Sequence, residues 1–223
     1  SGVILFLINK NFFSIKTVKK KIKFLILFLF LVPIFISQKY HEDFGYYHLT
    51  YVITMMEEKI IFGLANSNIA YSHNSIWLNI ISIFSLPKND FNFLTLPAFL
   101  AYYIFIAFSL KKILESNKQT ISSYFLLVCL FYFILKFTRI SEYGNDLPCT
   151  IFSILAVFYF LKFSESTIQQ KKPSYFLCCF SFAAFSILIK FSAIPIFLLP
   201  LYLFITNFKK LRKEIIKYNY IFI

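Results

Sequence analysis

Two short polar stretches carry most of the side chains in this 223-residue chain that could do chemistry. The first reads Gln38-Lys39-Tyr40-His41-Glu42-Asp43-Phe44-Gly45-Tyr46-Tyr47-His48 and packs two acids and two histidines close together. Carboxylates that face a pocket take protons from an incoming hydroxyl. They also hold a divalent cation that bridges to a phosphate. The second stretch reads Thr138-Arg139-Ile140-Ser141-Glu142-Tyr143-Gly144-Asn145-Asp146-Leu147-Pro148. Arg139 offers a planar fork for a phosphate or carboxylate. Glu142 and Asp146 lie four apart, so a helical turn puts them on one side. Lys190 interrupts two apolar runs, and an ionisable group there is a functional candidate.

Each candidate also has a structural reading. Tyr40, Tyr46 and Tyr47 suit an aromatic belt at a membrane surface. Asp146 before Leu147-Pro148 suits a helix start, where a carboxylate caps free amides. Arg139 could simply pair with Glu142, and Lys190 could snorkel to the interface.

The elements that must position these groups are greasy segments. Hydrophobic residues make up 59% of the chain and charged ones 15%, against about 25% charged in soluble domains. Such a chain needs lipid as its solvent. A spanning helix takes about 20 apolar residues, and the sequence predicts six: Ile22–Ser37, Phe91–Leu110, Ile121–Phe137, Leu147–Phe163, Ser174–Ile189 and Phe191–Thr206. Tyr47–Phe62 reads as a helix lying flat on the membrane. Ser75–Leu86 reads as a short interfacial helix capped by Asn74 or Ser75, with Trp77 as its anchor. Ser75, Asn79 and Ser82 give that helix a narrow polar stripe. The fold class is an all-α polytopic transmembrane bundle, read as one integral membrane domain over 1–223. The apolar run at Ser1 and the close on Tyr220-Ile221-Phe222-Ile223 suggest a piece of a longer protein.

The charges are dealt between alternate gaps. Most of the 23 Lys and Arg fall at 10–23, 111–118, 162–172 and 207–217. Lys and Arg mark cytoplasmic loops, so these four gaps are expected inside the cell, in the inner (cytoplasmic) membrane. The net charge of +13 is then topology rather than a nucleic-acid surface. Of the ten acids, only Glu115, Glu165 and Glu214 share those gaps. Acids contribute little to orientation, so their concentration on the opposite face needs another reason. All three histidines, His41, His48 and His73, also fall there, in spacings that match no zinc signature. The four cysteines (Cys129, Cys149, Cys178 and Cys179) sit in or beside apolar runs and read as small packing residues.

The run "EDFGYYHLTYVITMMEEKIIFGLAN" (42–66), the later "HNSIW" (73–77) and "RISEYGNDLP" (139–148) resemble bacterial multi-pass proteins associated with surface-polysaccharide synthesis. The layout resembles the GT-C glycosyltransferases, among them oligosaccharyl-, mannosyl- and lipid A aminoarabinose transferases. The resemblance covers about residues 24 to 200. It implies transfer outside the cytoplasm from a polyprenyl-phosphate-linked sugar to a glycan or lipid acceptor. By that resemblance Asp43, with Glu42 beside it, holds the position of the superfamily's first-loop acid, acting as base or as a divalent-cation ligand. Arg139 and Lys190 would then hold the lipid phosphate, while His48, Glu142 and Asp146 shape the substrate side. A transporter or flippase for lipid-linked glycans, or a polymerase of them, is the other reading.

Overall fold

A computed structural model describes residues 25–33, 36, 44–57, 63, 66, 75–84, 93–115, 120–136 and 144–217, the side chains of 209, 210 and 212–217 excepted. Among these residues every regular element is a helix. In chain order they are α1 (residues 25–33), a π-turn (Phe44–His48) running into α2 (Leu49–Glu57), α3 (Ile76–Phe84), α4 (Leu96–Leu114), α5 (Ile121–Leu135), α6 (Asp146–Glu165), α7 (Lys172–Ile189), a 3-10 helix (Phe191–Phe197) and α8 (Leu198–Lys217).

Among the described residues, four stretches are long and apolar enough to cross a membrane: Leu96–Leu114, Asp146–Glu165, Gln169–Ile189 and Phe191–Phe208. Helix α5, expected as a full span, has 15 residues. At 1.5 Å per residue it reaches about 22 Å, short of a hydrocarbon core of about 30 Å.

The bundle is held by aromatic packing and by one seam of small residues. Tyr102, Phe105 and Phe133 are almost fully buried where α4 meets α5. Phe105 stacks tilted on Phe133 with ring centroids 5.0 Å apart. The Tyr102 hydroxyl donates to the Phe133 carbonyl at 3.1 Å, which satisfies a group near the end of α5. Helices α6 and α7 meet differently. Ala156 on α6 and Cys179, Ala183 and Ser186 on α7 are all fully buried. Small residues let two backbones approach closely where lipid supplies no hydrophobic drive. Ser153 donates across this seam to the Ser186 hydroxyl at 3.2 Å, and Ser186 donates to its own helix at Phe182 O.

The two ends of the bundle differ. At one, the Glu165 carboxylate accepts from Ser122 N at 2.7 Å and Ser122 Oγ at 2.6 Å, so the end of α6 caps the start of α5. Lys162 lies 3.5 Å from the same carboxylate. Lys112, Lys162 and Lys172 ride over the rings of Phe108, Phe158 and Phe163 at 5.1 to 5.9 Å, as snorkelling cations do. The opposite end carries the polar turns.

Two expectations change. Trp77 is not an interface anchor. It is 4% exposed, with Leu78 and Ile81 buried beside it, and its ring lies 6.5 Å from Phe152 of α6. Helix α2 likewise has an inward side, with Tyr51 and Val52 buried, and the Tyr51 hydroxyl donates to Asn79 Oδ1 at 3.4 Å. Nine-residue helices as apolar as α3 bury more surface inside a bundle than at its rim, and burial dominates.

Ser75 does cap α3: its hydroxyl accepts from Trp77 N at 3.3 Å and donates to Ile189 O at 2.7 Å. One buried hydroxyl thus satisfies the start of α3 and the end of α7. Ser75→Ala should cost about 1–3 kcal/mol, with Ser75→Thr retaining most of it. Thermal unfolding of the two detergent-solubilised variants against the parent checks this.

Candidate functional site

Asp146 opens α6 and Lys190 follows the last residue of α7. The two helices run antiparallel along their small-residue seam, so these two positions, 44 residues apart, arrive side by side at the loop end. The Lys190 ammonium donates to Asp146 Oδ1 in a charge-assisted hydrogen bond. That bond is the main reason the Lys190 pKa is raised above its ordinary value. Burial pulls it down, and the charges of Asp146, Cys149 and Tyr47 push it up again. Lys190 therefore stays cationic throughout the neutral range.

The sequence favours a break near Lys190. Its backbone is extended (φ −146°, ψ 119°). Five residues later Pro195 lacks an N–H, and in an α-helix its ring would strike the Phe191 carbonyl. The chain answers with seven residues of 3-10 helix, longer than the usual three or four.

Between this 3-10 helix and α6 lies a cleft of about 470 Å³ with Asp146 and Lys190 in its wall. Its polar lining is Thr150, Ser153 and Ser192 with the Cys149 thiol, and its apolar lining includes Ile154, Val157 and Ile196. Asp146, Cys149, Thr150, Ser153 and Val157 follow i, i+3, i+4, i+7, i+11, one stripe along α6. Thr150 and Cys149 are turned back toward backbone carbonyls, Thr150 to Asp146 O at 2.7 Å and Cys149 to Ser186 O at 3.7 Å.

The first polar stretch reaches the same end of the molecule. His48 is 5% exposed, its ring 4.1 Å from that of Tyr47. A Cβ on Gly144 would stand 3.4 Å from His48 Cε1, so the π-turn and the turn before α6 touch. Gly144 has φ +144°, a conformation open to glycine and strained for other residues. Gly144→Ala should therefore cost about 1–3 kcal/mol. The 3.4 Å contact is ordinary van der Waals distance, so backbone strain is the cause. A His48→Ala, Gly144→Ala double variant should unfold no later than Gly144→Ala alone, and a clear recovery of thermal stability would mean a clash instead.

Of the candidate residues, Asp146 and Lys190 are brought into contact, and His48 lies beside Gly144, two residues before Asp146. Asp43, Glu42, Arg139 and Glu142 lie outside the described residues, as do His41 and His73. Asp146 does not cap its helix: Asn145 holds the cap position, no side chain bonds the first turn, and the Asp146 carboxylate turns to Lys190. Among the described residues no group of three His, Cys, Asp or Glu could hold a metal. Sequence reasoning missed Tyr47, Gly144 and the stripe below Asp146. The hydroxyls at i+4 and i+7 of Asp146 were a readable signal for the last.

A family model described as "Domain of unknown function (DUF8201)" matches residues 2–223. The chain matches no curated protein and no solved structure.

Proposed function

The chain belongs to the DUF8201 family, and we propose that it is a GT-C-like glycosyltransferase. It takes a polyprenyl-phosphate-linked sugar at the extracytoplasmic face of the inner membrane and works in cell-surface glycan synthesis. The observation that carries this reading is the cleft that begins at Lys190 and descends along α6. Its charged mouth suits a phosphate, its hydroxyls suit a sugar, and its apolar wall of Ile154, Val157 and Ile196 suits an isoprenoid chain. In this orientation the gaps at 10–23, 111–118, 162–172 and 207–217 are cytoplasmic, in keeping with the lysines that ride over phenylalanine rings at that end.

Within this proposal Asp43, beside Glu42, takes the proton of the acceptor hydroxyl, alone or with a divalent cation. Lys190 and Arg139 stabilise the phosphate as it leaves with its charge. His48, Glu142 and Asp146 shape the substrate side. The acceptor oxygen bonds to the anomeric carbon, the bond to the donor phosphate oxygen breaks, and the lipid phosphate departs as the anion.

The broken helix at Lys190 and the 3-10 segment after it favour a second reading, a transporter of the same lipid-linked glycan, since transporters place broken helices at their sites. Proteoliposomes loaded with polyprenyl-phosphate-linked sugar separate the two. The transferase releases free polyprenyl phosphate in step with new glycan product. A transporter moves the lipid between leaflets and releases none, and a polymerase lengthens the lipid-borne glycan. Leaflet exchange with no released lipid phosphate would sink the transferase reading.

A further inference from the structure

We infer that Asp146 is an internal stand-in for the ligand's phosphate: its carboxylate occupies the Lys190 ammonium until a phosphate monoester displaces it. This inference rests on the phosphate role proposed for Lys190 and adds a device that sets how tightly that phosphate is held.

Three observations carry it. The pair sits at the cleft itself, since both residues line it. Both side chains are open, Lys190 46% and Asp146 59% exposed, so neither partner is locked in place by packing. And Asp146, the first residue of α6 with Asn145 in the cap position, points across to the end of the other helix.

The physical consequence is a competition. An ammonium has three donors, and one is taken by Asp146. A phosphate arriving at Lys190 meets a carboxylate of its own sign within contact range, so it binds only as Asp146 swings away. Thr150 offers no obstacle, because its hydroxyl is already turned to Asp146 O. Once Asp146 has moved, the start of α6 adds the favourable end of the helix dipole. A weakly held counter-ion of this kind keeps an empty site neutral in the membrane and leaves the site selective for a ligand with enough charge to expel it. A dianionic monoester has more charge to do so than a diester.

The test is equilibrium binding of undecaprenyl phosphate to the full chain in nanodiscs, with no sugar and no turnover. Asp146→Asn keeps the shape and removes the charge, and should bind undecaprenyl phosphate about tenfold tighter than the parent. Asp146→Ser, small and uncharged, should do the same and guards against a folding defect peculiar to the amide. Lys190→Ala should lose the binding in both backgrounds. Inorganic phosphate should compete in the same order across the variants but far more weakly, since it leaves the apolar wall unused.

If the parent binds undecaprenyl phosphate and folded Asp146→Asn and Asp146→Ser bind it equally or less tightly, Asp146 is a structural partner or contacts a cationic part of the ligand, and the stand-in inference is wrong. If the parent does not bind, or Lys190→Ala binds as the parent does, the phosphate role of Lys190 falls and takes the inference with it. Inorganic phosphate binding as tightly as the lipid would overturn the lipid as the displacing ligand.

Discussion

Lys190→Ala should lower the release of polyprenyl phosphate by about a hundredfold or more, the scale seen when a positioned charge stabiliser is removed. The same variant should unfold within about 2–4 °C of the parent. The two magnitudes come from the same geometry. Both partners of the Lys190–Asp146 pair are about half exposed, and an exposed ion pair is worth about 0–1 kcal/mol to the fold. Transition-state charge is another matter. In the proposed transfer the departing phosphate gains negative charge as the glycosidic bond breaks, and a fixed cation in contact with it counts for more than one free in water. Lys190→Arg should retain part of the activity, since the charge survives on a longer, planar head. The measurement is initial rate in proteoliposomes beside thermal unfolding in detergent. Equal losses in both would mark Lys190 as a structural residue. Because the Lys190 pKa is raised, chiefly by Asp146, the stabilising charge is fully present below the ordinary lysine range. It is lost only as pH climbs through the raised value, so Lys190 contributes no titration to the neutral rate profile.

Ala183→Leu should be the most damaging single change to the fold. Ala183 is fully buried on α7, in line with Cys179 and Ser186 and facing the helix that carries Ala156. Three more carbons cannot enter a seam with no exposed edge, so α6 and α7 must part. Overpacking costs about 1–3 kcal/mol, and here the parting also opens the Ser153–Ser186 hydrogen bond. The effect reaches the site, since α6 begins at Asp146 and α7 ends next to Lys190. Folded Ala183→Leu should therefore lose transfer activity as well as thermal stability, whereas Ala183→Gly should lose only some stability, of order 1 kcal/mol, from the helix propensity of glycine. Unchanged unfolding of Ala183→Leu would mean that the seam has room for the larger side chain.

How far the residues announced this molecule depends on the range of the physics involved. Apolar length and the placing of lysines are properties of a stretch of chain by itself. They give an all-helical membrane bundle with two unlike ends, and they place the starts of α6 and α7 within two residues, at Leu147 and Ser174, but that of α4 five residues early, at Phe91. Ser75 as a helix cap is equally local, because the hydroxyl that accepts from Trp77 N lies two residues away. Trp77 was misjudged for the converse reason. An aromatic belt and a buried core use the same side chain, and only the helices packed beside α3 choose between them. Helix α5 ends at Leu135, beside Lys136 and two residues before the expected Phe137.

What the sequence by itself determined was that the greasy segments are helices and which chemical groups lie in the gaps. What only the tertiary structure decided was the partnerships: Lys190 with Asp146, 44 positions away, and Ser75 with Ile189, 114 away. Helix formation is settled within a few turns by backbone hydrogen bonds and side-chain periodicity. The pairing of helix ends follows from which small-residue faces fit closely together, a property of two surfaces at once that no single stretch of chain encodes.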